Sequence, residues 1–259
     1  MLAHDVEGEG PVVVLLHEGI GDRRMWDPQV GPLVEAGYKV VRPDFRGFGD
    51  SELPPGPFSN LADVRELVEH LGVEQAHVVG GSLGARVALE YALTYPESVE
   101  RLVLVGPGLR DMNPNEAVRK SWEEEEALVE AGDVDGAVEV NLRVWVDGVS
   151  RTPDDVDQDV RERLREMQRR AFEVQMAEPD AGPEEPFEPQ ASTRLGEIGC
   201  PTLVIVGDLD QPAIVEVAQQ LAEGIPGARK EVIPGTAHAP NMEKPAEFNV
   251  LLLEFLQAA

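Results

Sequence analysis

Three positions far apart in the chain carry groups that could act together: Ser82 in Gly80-Gly81-Ser82-Leu83-Gly84, an aspartate in Gly207-Asp208-Leu209-Asp210, and His238 in Gly235-Thr236-Ala237-His238. A serine hydroxyl is a weak nucleophile until an imidazole takes its proton, and the imidazole needs a carboxylate to fix its tautomer and stabilise its cation. The chemistry would be covalent attack on an acyl carbon. By position both Asp208 and Asp210 qualify as the acid, although Asp208 could serve only to shape the turn. Of the five histidines, His4 lies near the terminus, His70 falls on a helical pattern, and His77 opens the strand before Ser82. His17 ends the first long apolar run and reads as a loop brace. His238 alone follows the last strand pattern and is the candidate base.

The stretch around Ser82 has to hold the nucleophile. An apolar, β-branched run, His77-Val78-Val79, ends in Gly-Gly-Ser-Leu-Gly and passes into small residues at helical spacing. That is the pattern of a strand, a sharp turn and a helix. So tight a turn strains its apical residue and brings strand and helix together, which requires Gly80 and Gly84 to lack side chains. The N–H groups that open the helix then point where an oxyanion would sit.

The remaining elements follow one rhythm. Val12–Leu16, Tyr38–Asp44, the run before Ser82, Arg101–Gly106, Thr202–Gly207 and Arg229–Ile233 read as strands. Helices are predicted from Asp27-Pro28, over Leu61–Leu71, after Ser82, over Pro212–Ile225 and over Pro245–Gln257. Strand and helix in alternation imply a parallel sheet with crossovers on both faces. From about Leu109 the rhythm breaks, and Glu116–Ala131, Asp133–Val146 and Val156–Ala177 read as three charged amphipathic helices with no strand between them. This is the pattern of an inserted helical cap, followed by a flexible Pro- and Glu-rich return over Glu178–Gln190. The run Glu123–Glu126 reads as a solvated helix face.

Composition narrows the partners. In 259 residues Asp plus Glu outnumber Lys plus Arg by 49 to 22, a formal charge of −27, which disfavours nucleic acid and anionic membrane surfaces. Oligomeric state cannot be read from the chain. With Cys200 as the only cysteine, neither an internal disulfide nor a thiolate metal cluster is available. No apolar run reaches the length of a bilayer span, and Met1–Asp5 lack the start of a signal peptide, so a cytoplasmic location is expected.

Taken together, the chain resembles the α/β-hydrolase family over nearly its whole length. The resemblance rests on Leu15-Leu16-His17, the D-x-R-G-x-G-x-S stretch Asp44–Ser51, Gly80–Gly84, Pro201–Asp210, and Gly235–His238 with Glu243 and Pro245. It implies an α/β fold with a mostly parallel central sheet, helices on both faces, a core of residues 1–108 and 196–259, and a helical cap over 109–195. It also implies Ser82 as nucleophile, Asp210 as acid and His238 as base, with Gly19 and Leu83 as oxyanion donors. Met25–Gln29 and Pro54–Ser59 look most like the small esterase and enol-lactonase branch. The expected reaction is hydrolysis of a small-molecule ester or lactone through an acyl-enzyme, with no metal or organic cofactor. A serine at position 82 argues against the dehalogenase and epoxide-hydrolase members, which carry aspartate there. Carbon–carbon bond hydrolases, hydroxynitrile lyases and aminopeptidases share the triad and stay open, as does a non-catalytic binder. Glu18, Trp26, Trp122, Trp145, Met167 and Phe172 are the candidate pocket residues. Glu18 stands where the family often has glycine, and it is expected to point away from the oxyanion. Against the family pattern the N-terminus is too short for the usual hairpin before the His17 strand, so one early strand is expected to be absent, leaving Leu2–Val6 as an edge of the sheet.

Overall fold

The structure is a computed structural model describing residues 1–258. The first half of the chain runs β1 (His4–Glu7), β2 (Val12–Leu16), α1 (Asp27–Glu35), β3 (Lys39–Pro43), β4 (Gly56–Phe58), α2 (Asn60–His70), β5 (Ala76–Gly81), α3 (Leu83–Thr94) and β6 (Val99–Val105). Helices α4 (Glu116–Glu130), α5 (Val134–Asn141) and α6 (Gln158–Met176) follow, with a π-helical turn, Leu142–Asp147, between the last two. The chain closes with β7 (Ala181–Glu184), β8 (Thr202–Gly207), α7 (Pro212–Gly224), β9 (Arg229–Ile233), α8 (Pro240–Glu243) and α9 (Pro245–Gln257).

Seven strands form one sheet in the order β1-β3-β2-β5-β6-β8-β9, parallel throughout except for β1, which pairs antiparallel with β3. An edge strand is therefore present, beginning two residues and ending one residue later than the expected span. β5 and β8 are buried at every position, so helices cover both faces of the sheet, as unbroken Val/Ile/Leu runs require. Helix α1 packs with α9, and α2 with α3.

Register is what builds the site. Leu16 of β2 stands opposite Gly80 of β5, and Gly81 opposite Val105 of β6. Gly207 of β8 stands opposite Ile233 of β9. The loops that begin at His17, Ser82, Asp208 and Pro234 thus leave the sheet at one end, where parallel sheets hold their ligands.

The return segment departs from expectation. Within Glu178–Gln190, β7 pairs parallel with β4, and Glu184 accepts from Arg86 Nη2 at 2.7 Å and from Arg110 Nη2 at 2.9 Å. Its composition reads as loop because the pairing partner is distant in sequence and the stabilising arginines lie on and just beyond other elements. Those two guanidiniums hold the Glu184 carboxyl below its ordinary value against the opposing effect of burial.

Candidate active site

Ser82 is the only non-glycine residue with positive φ among the described residues, at φ 47° and ψ −105°. Its strain is built in by contacts that exclude any side chain on either side. A Cβ on Gly80 would lie 2.2 Å from the Gly84 carbonyl oxygen, and one on Gly84 would lie 2.2 Å from Leu16 O and 2.7 Å from His17 O. Gly84→Ala is therefore expected to destabilise the fold by about 3 kcal/mol or more, since backbone cannot yield as a side chain can. Gly199→Ala, with open space around it, should stay within about 0.5 kcal/mol. Urea unfolding of both variants measures the difference.

The elbow turn leaves the Leu83 N–H free. Ser82 N–H donates to Val105 O at 2.9 Å and Gly84 N–H to His17 O at 3.1 Å, whereas Leu83 N–H opens α3, where no helical acceptor exists. Gly19 lies against it: a Cβ on Gly19 would be 3.9 Å from that of Leu83. His17 holds the Gly19 loop. Phe45 N–H donates to its Nε2 at 2.9 Å and its Nδ1 meets Glu18 O at 2.7 Å, which fixes one neutral tautomer. Complete burial lowers the His17 pKa accordingly.

Of the two acids, the structure brings Asp210 to the histidine. His238 Nδ1 donates to Asp210 Oδ2 at 2.8 Å, with both side chains buried, while the exposed Asp208 accepts the Gly235 N–H at 2.5 Å and shapes the loop. Burial acts to lower the imidazole pKa, but the charge and hydrogen bond of Asp210, with Glu18 and Glu243 farther off, outweigh it and lift His238 to about 9. With Nδ1 engaged, Nε2 is the ring nitrogen left free, and Ser82 lines the same cavity as His238.

The π-helical turn clamps this pair, and sequence reading did not foresee it. The Trp145 carbonyl accepts the His238 N–H at 3.2 Å, and the two rings lie 4.7 Å apart. Gln211 Nε2 donates to Val144 O at 2.8 Å, which ties the acid loop to the same turn. From below, Glu243 accepts the Ala237 N–H at 2.8 Å and pairs with Arg151 at 2.5 Å.

The cavity above Ser82 measures about 260 Å³. Of the six expected pocket residues, Trp122, Trp145 and Phe172 line it, together with Phe48 and Ile20. Trp26 does not. It is fully buried with its ring 6.1 Å from Phe248, because the short turn that carries it faces the sheet. Met167 is also core, only 2% exposed, and its neighbour Gln168 takes the cavity-facing position of α6. Asn141, Gln175 and Glu125 line the cavity as well. Glu125 corrects the reading of Glu123–Glu126 as wholly solvated: it sits three residues beyond Trp122 on α4, one turn along the same face. That spacing was the available signal.

Glu18 leaves the cavity lining, but it turns inward rather than to solvent. It is 0% exposed, and its Cγ lies 2.8 Å from where a Cβ on Gly81 would be. Neither carboxyl oxygen has a hydrogen-bond partner. Burial raises its pKa to about 8, with Asp210 and Glu243 adding to the rise and His238 opposing it.

Comparison with known proteins places this geometry in its class. The profile of the alpha/beta hydrolase fold matches residues 11–245, and the chain belongs to that family. It is 29% identical to the 2-hydroxy-6-oxo-6-phenylhexa-2,4-dienoate hydrolase of Comamonas testosteroni, over 99% of this chain and 91% of that one. Among solved structures it is similar to a thermophilic esterase from Thermogutta terrifontis, with 28% identity, a TM-score of 0.79, and 99% and 93% of the two chains covered. The enol-lactonase of Burkholderia xenovorans LB400 shares the fold, with a TM-score of 0.79, 24% identity, and 98% and 96% of the two chains covered. Among the described residues no helix is long and apolar enough to cross a membrane.

Proposed function

We propose that the protein is a serine hydrolase that cleaves small carboxylic esters or lactones. The observation that carries this reading is the junction of the strained Ser82 with the buried His238–Asp210 pair at one cavity. In this mechanism His238 Nε2 takes the Ser82 proton as Oγ attacks the carbonyl carbon. Gly19 and Leu83 N–H groups stabilise the resulting oxyanion, and the imidazolium returns the proton to the leaving alkoxide. Water, deprotonated by the same imidazole, then releases the acyl group. Residues 109–195 act as the lid, supplying Trp122, Trp145 and Phe172 to the cavity wall.

The Comamonas relative supports a second reading, hydrolysis of a carbon–carbon bond in a dienoate, by the same triad. A dienoate carries a carboxylate, and a buried carboxylate calls for a cation or strong donors. Here His238 of the triad is the one basic side chain of the lining, none of the other lining residues is Lys or Arg, and Glu125 adds an acid. That charge balance favours the ester reading. Turnover of a short-chain aryl ester is expected to exceed that of a 2-hydroxy-6-oxo-dienoate, and Ser82→Ala should lower ester turnover by about 10⁵-fold or more. Faster dienoate cleavage would select the second reading, and an unchanged rate in Ser82→Ala would remove both.

A further inference from the structure

Resting on the ester reading, we propose that the cavity selects substrates bearing a cationic ammonium group, with Glu125 as the specificity-determining carboxylate. The wall is aromatic on several sides, from Phe48 of the core and Trp122, Trp145 and Phe172 of the helical segment. Aromatic faces attract ammonium ions electrostatically, and more strongly where water is excluded. An aliphatic acyl chain would be served as well by aliphatic walls, yet Ile20 is the sole aliphatic side chain of the lining.

The acid supplies the second half. Glu125 is half-buried, and that burial pushes its carboxyl above the ordinary value, opposed only by the Asn141 amide. No lysine or arginine contributes to it. Elsewhere several buried acids are paired with arginine, Glu90 with Arg86 and Arg110, Asp147 with Arg161, and Glu243 with Arg151, while the unpaired Glu18 lies outside the cavity lining. Glu125 is a cavity carboxylate whose counter-ion the protein does not provide, and a ligand cation fits that role. The amides of Asn141, Gln168 and Gln175 add polar groups to the lining, suited to a charged headgroup rather than a hydrocarbon tail. A net charge of −27 also draws cations toward the surface from a distance.

The test uses pairs of esters matched in shape and differing only in a quaternary nitrogen. Choline acetate is compared with 3,3-dimethylbutyl acetate for a cation on the alcohol side. The p-nitrophenyl ester of betaine is compared with that of 3,3-dimethylbutanoic acid for a cation on the acyl side. Each kcat/KM ratio of cationic to neutral ester in wild type is divided by the same ratio in Glu125→Gln and in Trp122→Leu, which cancels intrinsic reactivity. In one of the two pairs the quotient is expected to be about 10 or more for Glu125→Gln, arising mainly in KM, and smaller but above unity for Trp122→Leu. Quotients near one in both pairs would overturn the proposal while leaving ester hydrolysis intact. Calorimetry with tetramethylammonium reads the cage without turnover: binding weakened in Glu125→Gln is expected, and no binding to wild type would contradict it. If no ester is cleaved but the ion binds in this manner, the ester reading fails and the cationic site stands.

Discussion

Replacing Asp210 by asparagine is expected to lower kcat on a short-chain aryl ester about 10⁴-fold, whereas Asp208→Asn should leave it within a few-fold. The two carboxylates are two residues apart, yet only Asp210 lies 2.8 Å from His238 Nδ1 in a buried contact. An amide at position 210 can offer its nitrogen to the imidazole and so stabilise the wrong tautomer, with the proton on Nε2, where it cannot accept from serine. It also removes the charge that holds the imidazolium. Asp208 holds the Gly235 amide at the exposed rim, so its loss loosens a loop without altering the tautomer. Steady-state rates of the two variants, measured beside thermal unfolding to establish that both fold, decide the assignment. Comparable losses in both would refute it.

Glu18→Gln is expected to change the pH dependence of both stability and rate. The folded-state pKa of Glu18 is about 8 against an ordinary 4.5. Between those values the unfolded chain releases a proton that the folded chain keeps, so Glu18 costs stability increasingly as pH rises through this window. At pH 7 the cost is roughly 3 kcal/mol. His238, raised to about 9, works in the same sense: its stabilising charge is fully present below the unfolded value and is lost as pH rises through 9. Wild type should therefore weaken from pH 5 to pH 8, and Glu18→Gln should weaken by roughly 3 kcal/mol less in urea titrations. Parallel curves would contradict the assignment. Because the Glu18 charge helps raise His238, the variant should also gain its neutral, catalytically competent imidazole at lower pH. The ascending limb of kcat/KM then moves toward acid.

The backbone geometry of the candidate site was legible where backbone constraints write themselves into residue type. Gly80 and Gly84 are glycines because Leu16, His17 and Gly84 carbonyls occupy the space of a Cβ, and that requirement shows in the sequence. The parallel sheet was equally readable, since strands buried on both faces must be continuously apolar. What stayed hidden depends on tertiary contact. Nothing local separates Trp26, packed on Phe248, from Trp145, packed on His238. Nor does composition reveal that Glu184 is gripped by Arg86 and Arg110 in a segment that reads as loop. The inward turn of Glu18 was missed because the space it fills exists only where residue 81 is glycine and β2 lies beside β5.

The most direct test of the covalent mechanism is the mass of the enzyme quenched during turnover. Mixed with p-nitrophenyl acetate and acid-quenched within the first turnovers, the protein should gain the mass of one acetyl group, located by peptide mapping on the fragment containing Ser82. The gain should be absent in Ser82→Ala. An acetyl group found on another residue, or steady ester hydrolysis by Ser82→Ala at the wild-type rate, would contradict the account.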